Sequence, residues 1–435
     1  MNYGVQFHSV MSIYLSLNAF LANRLFIMKI FDIAIVGAGP AGIMAAITAA
    51  KKGKRVILLE KNNIIGRKIL ATGNGRCNLT NKNIDVARYH GANPEFIKQI
   101  LSVFDQYKVM EYFESLGVIL KEEDNGRVFP RTNQATSIVE ALNYELKHLR
   151  VTIETNALVK KIKYKKNWIV AGIRPAGDFQ IEAKNLIITT GGKATFQFGS
   201  SGDGLFWSEK FGHTIISPQP ALVPLETVET WPKNIQGLRI EGMAEVIADG
   251  ITISKSYGDI LFTHFGLSGP AIMKQSRNVS LLLPTKKVVM RIDTIPEETE
   301  KNLDKKIEII LNLNGAKSVK NALSGFIPAE LINIILVNLL IDSEKKSSRV
   351  SKLERTAIIK GLKNVILTIS KTRSFKEAQV TAGGVAAEEI DTKTLESKKV
   401  PHLFFAGEII DVDGDSGGFN LQWAWSSGYL AGFSA

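Results

Sequence analysis

The chain has 435 residues, 45% of them hydrophobic and 22% charged, with a formal net charge of +12 and a single cysteine. This length suits two or three cores. The lone Cys77 excludes an internal disulfide and a thiol-rich metal site, and no two histidines stand at the i, i+4 spacing of a helical zinc site, so no metal is expected.

The first 27 residues differ from the rest. They hold no acidic residue, and Arg24 is their first basic one. They lack the basic n-region of a signal peptide, and polar breaks such as His8, Ser12, Asn18 and Asn23 argue against a membrane helix. Met28 is the expected start, with residues 1–27 outside the fold. No other segment is apolar enough to span a bilayer, so a cytoplasmic protein without a membrane partner is expected.

Residues 31–36 read as a fully buried strand, 40–52 as an Ala-rich helix and 55–60 as a second buried strand, together a right-handed βαβ unit. Residues 66–81 form a Gly- and Asn-rich loop, and 94–116 and 136–149 carry helical periodicity. Strands follow at 151–155, 158–164, 168–173 and 179–183, then a buried strand at 186–190 that stops at Gly191-Gly192. Short alternating runs dominate to about 293. A helical block covers 297–341, with breaks near Gly315 and Pro328. Residues 402–406 read as a last buried strand and 421–430 as a last helix. The expected domains are 28–193 with 375–435 for one discontinuous nucleotide-binding domain, 194–296 with 343–374 for a β-rich substrate insert, and 297–342 for a helical subdomain.

Gly37-Ala38-Gly39-Pro40-Ala41-Gly42 is a G-x-G-x-x-G between a strand and a helix, the context that turns a weak pattern into a dinucleotide site. Gly37 permits the tight turn, Gly39 lets a pyrophosphate approach, and Gly42 lets the helix pack closely. The helix N-terminus, at Pro40 and Ala41, offers free N–H groups and a positive dipole end. Glu60, about 20 residues on and followed by Lys61, stands where an acid meets ribose hydroxyls. Thr190 and Gly191 end the return strand beside this turn. The antiparallel meander and Gly407-Glu408 before an acidic, Gly-rich loop favour FAD over NAD. No second G-x-G-x-x-G follows a strand, so NAD(P)H is expected only as a transient donor.

Two stretches are more specific: Gly66-Arg67-Lys68-Ile69-Leu70-Ala71-Thr72-Gly73-Asn74-Gly75-Arg76-Cys77-Asn78, and Gly407-Glu408-Ile409-Ile410-Asp411 with Ser416-Gly417-Gly418-Phe419-Asn420-Leu421-Gln422-Trp423. Both resemble the BaiN-like flavoprotein family, also called the aminoacetone-oxidase type, over about 30–432. The resemblance implies an α/β fold: a discontinuous glutathione-reductase-type Rossmann FAD domain, an inserted β-barrel-like domain and a small helical domain. It implies non-covalent FAD, and activities that range from reduction of double bonds in oxidised bile acids to oxygen-dependent amine oxidation.

Arg67 and Lys68 carry charge that can offset pyrophosphate. Thr72, Gly73 and Asn74 belong to a loop able to wrap the flavin ring. Asp411 resembles the family segment that contacts the ribityl chain and pyrophosphate. Gly417, Gly418, Asn420 and Leu421 open the last helix, whose N-terminus is expected at the pyrimidine edge of the flavin. Cys77 has no partner thiol and reads as a packed small residue. On the substrate side, His264 is either a general acid or base or a loop-holding residue. His213 reads as a capping or packing residue, and Arg127 and Arg131 as sites for an anionic substrate or as ordinary surface charges.

The expected function is an FAD-dependent oxidoreductase acting on a small organic substrate, either a reductase fed by NAD(P)H or an oxidase. The lysines lie in dispersed runs such as Lys51-Lys52 and Lys160-Lys161, without an Arg-rich helix, so the charge reads as solvated surface and no nucleic-acid partner is expected. The rivals are a nucleic-acid-modifying flavoprotein and a flavin-binding protein without turnover.

Overall fold

An apolar run broken only by Asp32 forms strand β1 (Ile30–Val36), fully buried from Ile33 to Val36 as a central parallel strand requires. The computed structural model describes residues 30–435; the expectations for residues 1–27 and for a start at Met28 lie outside the described residues. Helix α1 (Pro40–Lys51) starts with proline in its first turn, where a missing N–H costs nothing. It leads to β2 (Val56–Leu59), parallel to β1.

The sheet grows outward from this pair. β3 (Thr152–Glu154) lies parallel to β2. β4 (Leu158–Tyr164), β5 (Trp168–Arg174) and β6 (Gly177–Ile188) form the meander, giving the order β3-β2-β1-β6-β5-β4. The sequence suggests two strands at 179–183 and 186–190, but β6 is one continuous strand. Its first half pairs antiparallel with β5, and residues from Glu182 on pair in parallel with β1. Lys184-Asn185 looks like a break only in one dimension; Ile33 pairs with Asn185, so the backbone stays extended. The periodic stretch 94–116 is likewise two helices, Pro94–Val103 and Gln106–Ser115, separated because the Asp105 carboxylate accepts the N–H groups of Tyr107 and Lys108 as an N-cap.

The inserted region contains a closed six-stranded barrel. Its strands are β7 (Leu225–Thr227), β8 (Arg239–Ala248), β9 (Ile251–Thr263), β10 (Gly266–Ser268), β11 (Val288–Asp293) and, later in the chain, β12 (Val365–Thr372). They close in the order β7-β10-β9-β8-β11-β12. Helix α2 (Pro270–Leu282) packs on β8 and β9. Helices α3 (Glu300–Leu313), α4 (Val319–Leu323) and α5 (Ala329–Asn338) break on either side of Gly315 and before Pro328. Helix α6 (Lys352–Lys363) packs on α3, where Arg355 bridges Asp304 and Glu308. These helices share one apolar core with the barrel, separate from the core around the parallel sheet.

The chain then returns to the first sheet. β13 (Leu403–Phe405) pairs in parallel with β6. Helix α7 (Phe419–Ser434) runs along α1 so closely that a Cβ at Gly428 or Gly432 would lie 2.4 or 2.2 Å from the carbonyl oxygens of Ala41 and Ala45. Where the two halves meet, Ala194, Val223 and Ala378 are fully buried together. The Thr381 hydroxyl accepts the N–H groups of Lys193 and Ala194. Across the same junction, Arg277 on α2 reaches both oxygens of the buried Asp413 at 3.0 Å. Among the described residues, no helix is long and apolar enough to cross a membrane.

Candidate active site

The turn from β1 into α1 sets the first wall of a cavity of about 600 Å³, within the usual range of roughly 300–1,000 Å³ for ligand sites. Gly37 has φ +105° and passes the end of β6 so tightly that a Cβ would sit 2.7 Å from the Thr189 carbonyl oxygen. Gly39 is ordinary extended backbone, φ −76°, with no atom within 4 Å of where its Cβ would stand. Gly37, Gly39, Pro40 and Ala41 line the cavity. Gly42 does not; its Cβ would lie 1.9 Å from the Gly37 carbonyl oxygen, so it serves the packing of helix on strand.

Glu60 is buried on the same wall. Its carboxylate accepts the N–H of Ala38 at 2.8 Å and the backbone and side-chain N–H groups of Asn62 at 2.8 and 2.7 Å. The three predicted cations all line the cavity, two of them in ion pairs. Lys61 pairs with Asp203 at 2.7 Å, and Lys68 with Glu408 at 2.8 Å. Arg67 donates to the Asn62 side-chain oxygen and has no acidic partner among the described residues, leaving its charge for a ligand.

Farther along, Thr72, Gly73 and Asn74 line the cavity as a short turn in which Gly73 and Asn74 adopt left-handed φ of 57° and 55°. Arg76 lies 4.1 Å over the Phe129 ring, with Glu123 holding its guanidinium at 3.0 Å. Arg127 flanks the same ring and reaches the cavity, whereas Arg131 is exposed away from it. Thr190, Gly191, Gly407 and Glu408 complete the wall, with Gly417, Gly418, Asn420 and Leu421 at the start of α7. Gly418 is the N-cap at φ +102° and offers no capping side chain, so the first N–H groups of α7 are free. The Asn420 side chain binds the N–H and carbonyl of Gly414, which fixes the preceding turn.

Asp411 and His264 are not brought to this cavity. Asp411 accepts the Gly383 N–H at 3.1 Å, and burial, with the Asp413 charge beside it, pushes its carboxyl up to about 6. His264 is exposed in the turn between β9 and β10, its ring edge-on to Phe265. Leu222, Pro270 and Gln379 line the cavity instead. Leu222 has φ +48°, a strained value for a bulky residue. Leu222 and Pro270 lie in stretches that share the family resemblance, but nothing local in the sequence says that these three meet, because chain closure brings them together. Asn78 and Arg76, by contrast, sit inside the Gly66–Asn78 motif.

Two further groups with reactive side chains are not among the residues that line the cavity. His213 is buried, with one ring nitrogen 2.8 Å from the Ser397 hydroxyl and the other 3.2 Å from Glu389. Burial pushes its imidazole below its ordinary value. The Ser397 oxygen also accepts the N–H groups of Lys399 and Val400, which fixes a turn away from the cavity. Cys77 is fully buried, and burial pushes its thiol up to about 12, unsuited to thiolate chemistry.

The wall fits FAD on two counts. Gly39 leaves open the approach to the N-terminus of α1. Two helix N-termini face the same cavity, one suited to the pyrophosphate and the other to a pyrimidine edge that gains negative charge on reduction.

Comparison with known proteins agrees. The model of the HI0933-like protein Rossmann domain matches residues 31–434. A 3-dehydro-bile acid delta(4,6)-reductase from Clostridium scindens is 36% identical, with 93% of this chain and 98% of the relative covered. A ribosomal RNA dihydrouridine synthase from Haemophilus influenzae is 32% identical over 92% of this chain and 97% of the relative, and one from Escherichia coli 31% identical over 92% and 97%. The chain thus belongs to the HI0933-like, BaiN-like family of FAD-binding Rossmann proteins and is an FAD-dependent oxidoreductase.

Proposed function

We propose that the protein uses FAD to add two hydrogens across a carbon–carbon double bond conjugated to a carbonyl. The observation that carries this reading is the continuous cavity that runs from the N-terminus of α1 to that of α7 and is also lined by Leu222, Pro270 and Gln379. Relatives support the bond class. One is named for the delta(4,6) bonds of a 3-dehydro bile acid, and another for making dihydrouridine, which differs from uridine by two hydrogens across such a bond.

In this reading Glu60 holds ribose hydroxyls, and the N-terminus of α1 with Arg67 holds the pyrophosphate. Thr72, Gly73, Asn74, Gly417, Gly418 and Leu421 surround the ring. Bound FAD supplies two-electron chemistry at that ring. The free N–H groups of α7 favour negative charge on its pyrimidine side and so raise its tendency to accept electrons. Leu222 and Pro270 shield the chamber from water, and Gln379 offers a side-chain amide to an incoming carbonyl. NAD(P)H is the electron donor, reaching the ring transiently.

A second reading keeps this chemistry but takes uracil in RNA as the substrate. The net charge of +12 and the names of two relatives favour it. The experiment is anaerobic reduction by NADH and NADPH, followed by reoxidation with a panel of enones, with uracil-containing RNA and with oxygen. Rapid reoxidation by an enone or by RNA supports the reductase and chooses between its substrates. Reoxidation by oxygen alone refutes it in favour of an oxidase.

A further inference from the structure

We propose that Arg127 determines which substrates enter the chamber: its guanidinium binds a carboxylate or phosphate on the substrate, so the unsaturated compound that the protein reduces is an anion. The inference rests on the double-bond reading above and deepens it. Arg127 opens the second strand of a short hairpin, Leu120–Glu123 with Arg127–Pro130, and lines the cavity. Residues two apart on a strand share a face, so Arg127 and Phe129 lie on one side of the hairpin. Phe129 also lines the cavity, and the Arg127 guanidinium stands 5.9 Å from the centre of its ring.

The hairpin is held at the end of the cavity assigned to the flavin ring. One edge of Phe129 lies 3.1 Å from where a Gly73 Cβ would be. The Asn81 side-chain amide donates to the carbonyl of Asn125 at 3.1 Å and to that of Gly417 at 2.8 Å, which ties the hairpin turn to the residues just before α7. Arg67, assigned to the pyrophosphate, stands instead beside Asn62, to which it donates at 3.0 Å. The phosphates of FAD thus fall to Arg67 and leave Arg127 uncommitted.

The charges around Phe129 do not balance. Two guanidinium groups lie within 6 Å of its ring centre, Arg76 and Arg127. The carboxylate beside them is taken: Glu123 pairs with Arg76 at 3.0 Å and with Lys121 at 2.7 Å. Arg127 has no carboxylate partner among the described residues. Its Nε donates to the Asp124 carbonyl at 3.1 Å, which steadies the side chain, and its two Nη groups make no hydrogen bond among the described residues. Such a planar pair of donors matches two oxygens of a carboxylate or phosphate. Arg127 is also half-buried, so an anion held there is screened less than one at an open surface.

The test is titration of the oxidised holoenzyme, which can bind an unsaturated carbonyl compound without reducing it, followed by flavin absorbance. The probes are two pairs matched except for charge: a cyclohexenone bearing a propanoate side chain with its primary amide, and uridine monophosphate with uridine. The wild type should bind the charged member of one pair about tenfold more tightly than its neutral partner, the least that a charge-assisted hydrogen bond implies. Which pair discriminates tells a carboxylate source from a phosphate source. Arg127→Gln should bring that ratio to about one. Arg127→Lys keeps the charge but loses the fork, so it should retain part of the ratio, and it carries the test if the glutamine protein does not fold. A wild type that prefers neither charged member overturns the proposal, as does a preference undiminished in both variants. The double-bond reading fails by a different result, a reduced flavin that no member of either pair reoxidises, so the two failures are distinguishable.

Discussion

Replacing Gly39 with valine separates cofactor binding from folding. Gly39 has ordinary extended dihedrals, and no atom lies within 4 Å of the position of its Cβ. Without ligand, valine meets only cavity. The cost to the fold is a poorer N-cap, about 0.5–1 kcal/mol, or a fall of a few degrees in the unfolding temperature. With ligand, the branched side chain stands between the pyrophosphate and the free N–H groups of α1. Losing one charge-assisted hydrogen bond there costs about 1.5–3 kcal/mol, or about 10- to 150-fold in FAD affinity. Gly42→Ala is the control with the opposite outcome. Its Cβ would lie 1.9 Å from the Gly37 carbonyl oxygen, so it should damage the fold itself. The assay pairs circular-dichroism melting with FAD titration of deflavinated protein. A Gly39→Val protein that melts near the wild type and binds FAD equally well would refute the placement of the pyrophosphate.

Asp411→Asn should raise the unfolding temperature at pH 7.5. Burial lifts the Asp411 carboxyl to about 6 in the fold, from a reference of 3.8. A raised acid favours the fold below the reference value and loses that contribution as pH rises through the folded value, so the advantage of the variant should vanish between pH 6 and 4 in melts across that range. Ser397→Ala should cost about 1 kcal/mol of stability, the net worth of its hydrogen bonds, while FAD content and turnover stay at wild-type levels; lost turnover would mean that the His213 group takes part in the reaction. Arg277→Met should leave the buried Asp413 without its partner and cost about 3–5 kcal/mol. Adding Asp413→Leu should recover most of that in denaturant titrations, and no recovery would show that packing, not charge, holds α2 to the FAD-binding half.

The βαβ unit and its glycine turn were legible because each signal is local. The strand is a short apolar run, Gly37 needs φ +105°, and Glu60 follows at a fixed spacing. The join inside β6 was not legible, because pairing with β1, far away in sequence, keeps residues 184 and 185 extended. The break at Asp105 had a signal, an N-cap residue, that the surrounding helical periodicity obscured. In the site, the loops quoted from the sequence do reach the cavity, Lys61 and Lys68 among them, but the acidic partners of these two lysines lie more than a hundred residues away and were not legible. Asp411 and His264 had suitable chemistry, yet direction and exposure are tertiary facts. That Leu222, Pro270 and Gln379 meet at the cavity is likewise a result of chain closure and has no local signal.

The contact between α7 and α1 also has a bearing on how the protein is made. Gly428 and Gly432 lie against Ala41 and Ala45, so the helix that carries the phosphate-facing turn finds its permanent cover only in a helix translated several hundred residues later. At about 5–20 residues per second, the nascent βαβ unit waits tens of seconds while the barrel and its helices are synthesised. The barrel and helical block form a continuous stretch with their own core, so they can mature on the ribosome while the earlier segment is still incomplete. Stop codons or stalled synthesis just before Phe419 would release chains with a finished barrel and an open α1 face, a species suited to capture by chaperones and unable to hold the cofactor.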